Sequence, residues 1–237
     1  MFTRLTTAHG KHASDDAAVT KICGAFLLLS GVLGFAAAPI AMSINYPVFV
    51  DFGDGETLSR FAAASPTPFL FGLLQILLPT LALASSVGFY YWLRSSGSVV
   101  VLGVVLNSLG LVFTTIQDGI EVTLLHYLPS AYLAADEASR PALLAIGDFG
   151  DTAMGVFGRL GIIAYTGLLL INWAIWRLNR WRWIAALYFV VFVLIAIAST
   201  AATVVPALGV LFPIAFMLLR VWMISAALIM LRSTPSA

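Results

Sequence analysis

The residues best suited to chemistry are a few charged side chains that interrupt long apolar segments. Asp118 and Glu121 lie at the end of one such segment, and Arg159 lies within the next. A charge near the centre of a bilayer costs about 2.5–3.5 kcal/mol on insertion scales, so these residues need a partner or a ligand. Two carboxylates and a guanidinium are typical of a buried ion pair, of a pocket for a small polar or ionic ligand, or of a proton path.

Helical spacing puts these residues on defined faces. On the third apolar segment, small and polar residues share a stripe about 80° wide. Its members are Gly103, Asn107, Gly110, Thr114, Asp118 and Glu121. The corresponding face of the fourth segment carries Asp148, Asp151, Gly155, Gly158 and Arg159. His126 falls off the stripe of its own segment, which favours an interfacial residue over a third ligand.

A common depth connects these faces. At a rise of ~1.5 Å per residue, Gln75, Asp118 and Arg159 lie about 25–30 Å above the predicted cytoplasmic ends of their helices, in the outer half of the bilayer. We therefore predict that Asp118 or Glu121 pairs with Arg159. The candidate binding pocket comprises Asp118, Glu121, Arg159, Asn107, Gln75 and Arg220, and Ser43, Thr200 and Thr203 are expected to line the same layer.

The same residues fit a purely structural role. An ion pair beside closely packed glycines would hold helices together without any ligand, and Asn107 and Gln75 suit hydrogen bonds between helices. Arg220 has no acid at its own level and could instead extend to the interface, contact a backbone carbonyl near Pro213 or meet a ligand's negative group. Both interpretations stay open at this stage.

The elements that position these residues are membrane-spanning helices. Hydrophobic residues make up 61% of the 237 residues and charged residues 10%, against about 25% charged in soluble domains. The apolar residues form blocks near the ~20 residues that span a bilayer. We predict an all-α polytopic bundle of six spans at 22–43, 69–92, 98–117 with a helical extension, 152–176, 183–204 and 206–231. Residues 140–146 are predicted as a short interfacial helix, and a tight turn at Val205 and Pro206 separates the last two spans.

Basic residues predict the orientation, because they accumulate in cytoplasmic loops. Eight fall on one side of the predicted spans, whereas Arg60 and Arg140 fall on the other. We expect a multi-pass protein of the bacterial inner membrane with both termini in the cytoplasm. The predicted organisation is a cytoplasmic leader at 1–21, a single six-helix domain at 22–232 and a cytoplasmic tail at 233–237.

Residue counts exclude several activities. Both lysines precede the first span, which leaves no candidate for an intramembrane Schiff base. The single histidine near a span, His126, disfavours paired haem ligation and histidine-rich metal sites. With a net charge of +1 and no phosphate-binding Gly-rich motif, a nucleic-acid partner is not expected. The metal and cofactor requirements stay unknown, and the expected partners are the lipid bilayer and a second copy or a membrane complex.

The acidic segment between the first two spans is a further candidate for metal binding. Residues 51–56 contain three acids, Asp51, Asp54 and Glu56. Their spacing lacks the alternating ligands and the terminal Glu of a calcium loop. We therefore expect a solvated acidic loop here rather than a metal site.

The C-terminal half resembles a known family. The segments that carry the resemblance are Asp148-Phe149-Gly150, Val156-Phe157-Gly158, Thr166-Gly167-Leu168-Leu169-Leu170 running into Trp176-Arg177, and Pro213 followed by Val221-Trp222-Met223-Ile224. Over about residues 143–231 they are similar to the uncharacterised bacterial six-helix membrane family called domain of unknown function 4386. The resemblance implies six spans and no particular activity.

Two classes of function follow from the residues. The first is a non-enzymatic membrane protein that binds or transports a small molecule or ion, or that serves as an accessory subunit. The second is an intramembrane enzyme in which Asp118 and Glu121 act as acid and base or as metal ligands, together with His126. We favour the first, because two carboxylates without a nearby nucleophile make an incomplete catalytic set.

Overall fold

The computed structural model describes residues 3–44, 46, 50–179, 181–201, 205, 208 and 210–233, with side chains from residue 15 onward except at 200 and 201. The described residues form seven α-helices and no strand. The helices are α1 (Thr3–Ser43), α2 (Gly55–Ala64), α3 (Thr67–Leu93), α4 (Ser98–Ala134), α5 (Arg140–Arg177), α6 (Arg182–Ala201) and α7 (Leu211–Arg232). A 3-10 turn at Arg94–Ser96 follows α3.

Six of these helices are long and apolar enough to cross a membrane, and only α2 is too short. This confirms the predicted all-α fold with six candidate spans in the described part of the chain. Pro39, Pro79 and Pro129 lie inside such helices, which is a common feature of membrane helices because neighbouring groups satisfy the freed carbonyls.

The helix boundaries differ from the predicted ones in two places. The interfacial helix predicted at 140–146 is the first part of the continuous helix α5. The predicted leader is helical from Thr3 onward and continuous with the first span. The tight turn predicted at Val205 and Pro206 falls between α6 and α7, where most residues lie outside the described ones.

The chain divides into two compact units. Unit 1 comprises residues 1–32, 81–109 and 163–237. Its core is formed by large buried side chains of α3, α6 and α7, among them Phe89, Tyr188 and Trp222. A hydrogen bond between neutral side chains lies in this core: Trp222 Nε1 donates to Asn172 Oδ1 at 2.9 Å. Close packing also needs small residues: a Cβ at Gly167 would lie 2.2 Å from the Asn107 amide nitrogen.

Unit 2 comprises residues 33–80 and 110–162. Its apolar core contains Phe52, Leu58, Phe61, Leu125, Leu128 and Met154. Phe52 precedes α2 and is fully buried. Asp54 caps α2, because its side chain accepts hydrogen bonds from the amides of Glu56 and Thr57. The segment before α2 is thus fixed at both ends, by apolar burial and by a helix cap.

Candidate cation site

Three aspartates of unit 2 form a cluster of carboxylates. Asp148 and Asp151 lie three residues apart on α5 and so project from the same side of this helix. Asp51 comes from the segment before α2. Oxygens of the three side chains all lie within 4.8 Å of one another. We call Asp51, Asp148 and Asp151 the carboxylate cluster.

Two glycines make this approach possible. A Cβ at Gly147 would lie 2.0 Å from the carbonyl oxygen of Phe52, and one at Gly53 would lie 1.9 Å from Asp148 Oδ1. Any larger side chain at Gly147 would push the backbone of residues 52–53 away from α5. Because Gly147 has no side chain, the backbone of residues 52–53 can lie directly against α5, beside the Asp148 carboxylate.

Backbone amides orient the most buried member of the cluster. Asp151 Oδ2 accepts hydrogen bonds from the amides of Phe52 at 2.8 Å and Gly53 at 3.3 Å. The Gly53 amide also donates to Asp51 Oδ1 at 3.0 Å. The second oxygen, Asp151 Oδ1, is buried and has no hydrogen-bond partner among the described residues. Burying an acceptor without a partner costs free energy, so a cation or a hydrogen-bond donor at this oxygen would stabilise the site.

The electrostatics of the cluster are repulsive. Like charges at such distances repel by about 1–4 kcal/mol per pair, depending on the effective dielectric constant. Two arginines of unit 2 stack on rings instead, Arg60 on Phe61 and Arg140 on Tyr132. Within the described ranges no ion pair joins a basic side chain to the cluster.

A hard divalent cation fits this donor set. All three ligands are carboxylate oxygens, which suit Ca²⁺, Mg²⁺ and Mn²⁺ rather than softer metals. Calcium binds oxygen at about 2.4 Å, so two of its ligands can lie up to about 4.8 Å apart. The separations within the cluster do not exceed this limit. The three carboxylates are therefore candidate ligands of one ion, with water completing its coordination.

The predicted site residues Asp118 and Glu121 lie in the same unit. The Tyr46 hydroxyl donates to Glu121 Oε1, and the Tyr46 ring packs against Phe61 and Phe71. Burial, followed by the charges of Glu121 and Asp118, raises the pKa of the Tyr46 phenol well above its usual range. Tyr46 therefore stays protonated and remains a donor to Glu121.

The predicted ion pair of Arg159 is not found. Arg159 is exposed on α5, and the described residues show no ion pair between it and Asp118 or Glu121. The buried side of α5 runs through Gly147, Gly150 and Met154, and Arg159 lies off this side. Glu121 instead accepts a hydrogen bond from the Tyr46 hydroxyl.

The remaining predicted pocket residues are divided between the units. Gln75 is half-buried in unit 2. In unit 1, buried Asn107 donates to Ser86 Oγ at 2.8 Å, and half-buried Arg220 contacts Met223 Sδ at 3.4 Å. Ser43 bonds to its own helix at the Ile40 carbonyl. The Thr200 side chain and Thr203 lie outside the described residues.

The sequence-based site missed the carboxylate cluster although its parts were visible. Asp148 and Asp151 were placed on one helical face, but the loop with Asp51 was expected to be solvated. The usable signal was the three Gly-Asp pairs, Gly53-Asp54, Gly147-Asp148 and Gly150-Asp151, which indicate close approaches beside acids. Which acid of the loop would meet α5 depended on the burial of Phe52.

Comparison with known proteins gives no further assignment. No family model, no curated protein and no solved structure matches this chain. The resemblance of residues 143–231 to domain of unknown function 4386 therefore stays a prediction.

Proposed function

We propose that this protein is a multi-pass membrane protein that binds a hard divalent cation at the carboxylate cluster. The observation that carries the proposal is the buried Asp151 Oδ1, which has no partner among the described residues although two other carboxylates lie within 4.8 Å. A bound cation would attract all three carboxylates and so offset the repulsion among them. This specifies the ion-binding class of function predicted from the sequence.

Titration calorimetry on metal-free protein in a neutral detergent tests the proposal. We expect one site for Ca²⁺, Mg²⁺ or Mn²⁺, and an affinity reduced at least tenfold by Asp151→Asn. Glu137→Gln is the matched control, because it removes one exposed acid of the same unit and should leave the affinity within twofold. If Asp151→Asn does not fold, Asp148→Asn serves instead, since Asp148 is exposed and does not hold the Phe52 amide.

Two results would overturn the cation site. One is the absence of saturable binding for all three ions. The other is equal binding by the wild type and by Asp148→Asn, with both folded by circular dichroism. The alternative of an intramembrane enzyme receives no added support, because Glu121 is engaged by Tyr46 and His126 stacks on Phe69 and Tyr127.

For the membrane setting we propose the bacterial inner membrane with both termini in the cytoplasm. The support is the basic-residue distribution together with six candidate spans. Residues 50–54 would then face the periplasm, where the cluster could exchange ions with the outside. Reporter fusions after Arg60 and Arg140 should report outside, and fusions after Arg94 and Arg232 should report inside. An inside signal at Arg60 would overturn this orientation.

A further inference from the structure

A polar cavity lies in unit 1, between the start of α4 and the end of α5. It has a volume of about 250 Å³. Its polar lining comes from Ser95, Ser96 and Arg177, and its apolar lining includes Val99, Trp173 and Leu178. No acidic side chain is among the described residues that line it. The donor set is therefore one guanidinium and two hydroxyls, which suits an anion.

The backbone at this cavity adds further donors. Gly97, with φ of 76°, takes a left-handed conformation between the 3-10 turn and α4. The helix then begins at Ser98, and its first turn contains no acid. The amides at the start of a helix lack intrahelical partners and carry partial positive charge. Val99, in this first turn, lines the cavity, so the helix start faces the same space as Arg177.

Ser96 provides an independent sign of a missing acceptor. Its hydroxyl oxygen is buried and has no hydrogen-bond partner among the residues that the structure describes. A hydroxyl rotates freely about its C–O bond and can donate to an oxygen placed beside it. Ser96 lines the cavity, and rotation about its Cα–Cβ bond would turn this hydroxyl toward an oxyanion bound there.

The surroundings indicate what kind of anion binds. Trp173 is 51% exposed next to Arg177, and tryptophan is enriched at membrane interfaces. Basic pockets between membrane helices on the cytoplasmic side bind phospholipid headgroups. The basic-residue distribution predicts that this end of α4 and α5 is cytoplasmic.

We propose that this cavity binds a phosphate group, held by Arg177, the serine hydroxyls and the start of α4. The phosphate comes either from the headgroup of an anionic phospholipid or from free phosphate. This proposal is independent of the cation site, which lies in the other unit.

Native mass spectrometry of the full chain in a neutral detergent tests this site. The probes are phosphatidylglycerol, inorganic phosphate and, as the uncharged comparison, phosphatidylcholine. We expect phosphatidylglycerol to bind at least tenfold more weakly to Arg177→Gln than to the wild type. The control Arg232→Gln, which removes the same charge from the exposed end of α7, should change the affinity less than twofold.

The outcomes separate the two sources of phosphate. Binding of phosphatidylglycerol that depends on Arg177 and exceeds that of phosphatidylcholine supports a lipid headgroup. Binding of inorganic phosphate that depends on Arg177 supports a free phosphate ligand. Equal losses in Arg177→Gln and Arg232→Gln, or no binding of either anion, would overturn the proposal.

A second variant covers the case in which Arg177→Gln does not fold. Ser95 is exposed, so Ser95→Glu should be tolerated while it adds a carboxylate to the cavity. We expect this variant to lose anion binding by repulsion. Unchanged binding of both phosphatidylglycerol and inorganic phosphate by a folded Ser95→Glu protein would also overturn the site.

Discussion

The two units of this protein have opposite charge although apolar helices build both. Unit 1 contains nine basic and two acidic residues, a formal charge of +7, whereas unit 2 contains three basic and nine acidic residues, a formal charge of −6. Together they give the net charge of +1 for the whole chain. The near-neutral total therefore conceals one unit suited to anions and one suited to cations.

The polar contacts inside the units differ in the same way. In the apolar core of unit 1 the polar contacts join neutral groups, as when the Tyr188 hydroxyl donates to the Tyr165 carbonyl at 2.7 Å. In unit 2 the buried acceptors are carboxylates, and their donors are backbone amides and the Tyr46 hydroxyl. Neutral hydrogen bonds need no ligand, whereas a cluster of carboxylates gains stability from one. Cation binding is therefore expected to depend on unit 2 and not on the neutral core contacts of unit 1.

The largest expected effect is that of a side chain at Gly147 in unit 2. Gly147→Val would place carbon atoms against the Phe52 carbonyl, and such overpacking should lower the free energy of unfolding by about 3 kcal/mol. Cation binding should be lost as well, because residues 52–53 would move. Unfolding in a denaturing detergent, followed by circular dichroism, measures the first effect and calorimetry the second.

Gly155→Ala is the control for this variant. A Cβ at Gly155 would meet nothing within 4 Å, so alanine should leave the protein as stable or stabilise it by up to about 1 kcal/mol. A Gly147→Val protein that keeps both its stability and its cation affinity would contradict the close approach in unit 2.

The next effect isolates unit 1. Asn172→Ala would leave the buried Trp222 indole without its acceptor, which should cost about 1–2 kcal/mol. The cation affinity should not change, because the lost contact joins neutral groups of the other unit. A tenfold loss of cation affinity in a folded Asn172→Ala protein would show that cation binding also depends on the core of unit 1.

A smaller effect is expected from the ion pair of unit 1. Arg94 bonds to Asp16, with the Arg94 side chain 45% exposed and that of Asp16 12% exposed. Because solvent screens Arg94, the coupling energy should be at most about 1 kcal/mol and should fall with added salt. A double-mutant cycle with Arg94→Gln and Asp16→Asn measures it. A coupling energy that does not depend on salt would indicate a more buried pair than the structure shows.

The smallest effect concerns pH and the cap of α2 in unit 2. Hydrogen bonds from Thr57 and Glu56 hold the pKa of Asp54 below its usual value. Since the folded pKa is lowered, its stabilising contribution is present above the usual pKa and is lost as the pH falls through the lowered one. The unfolding free energy should therefore decrease less between pH 6 and pH 3 in Asp54→Asn than in the wild type. Identical pH profiles would show that the cap does not contribute.

The sequence by itself determined the fold class of this protein. A chain with 61% hydrophobic residues arranged in blocks of about a span length has one solution in a bilayer, namely helices that satisfy their own backbone. The six spans follow from local composition, as does the helical face that carries Asp148 and Asp151. The sequence could not show that the predicted interfacial segment at 140–146 continues into α5, because Gly147 and Gly150 weaken a helical pattern.

Only the tertiary structure decided which polar residues meet. Spacing along one helix gives a side chain's direction but not what another helix or loop places opposite it. The pairing of Arg159 was predicted from a common depth and from the small-residue faces of the two helices, yet Arg159 is exposed and Glu121 bonds to the Tyr46 hydroxyl. Asp51 joins Asp148 and Asp151 because burial of Phe52 draws its segment onto Gly147. Such long-range contacts depend on packing between distant segments, for which a single sequence carries no local signal.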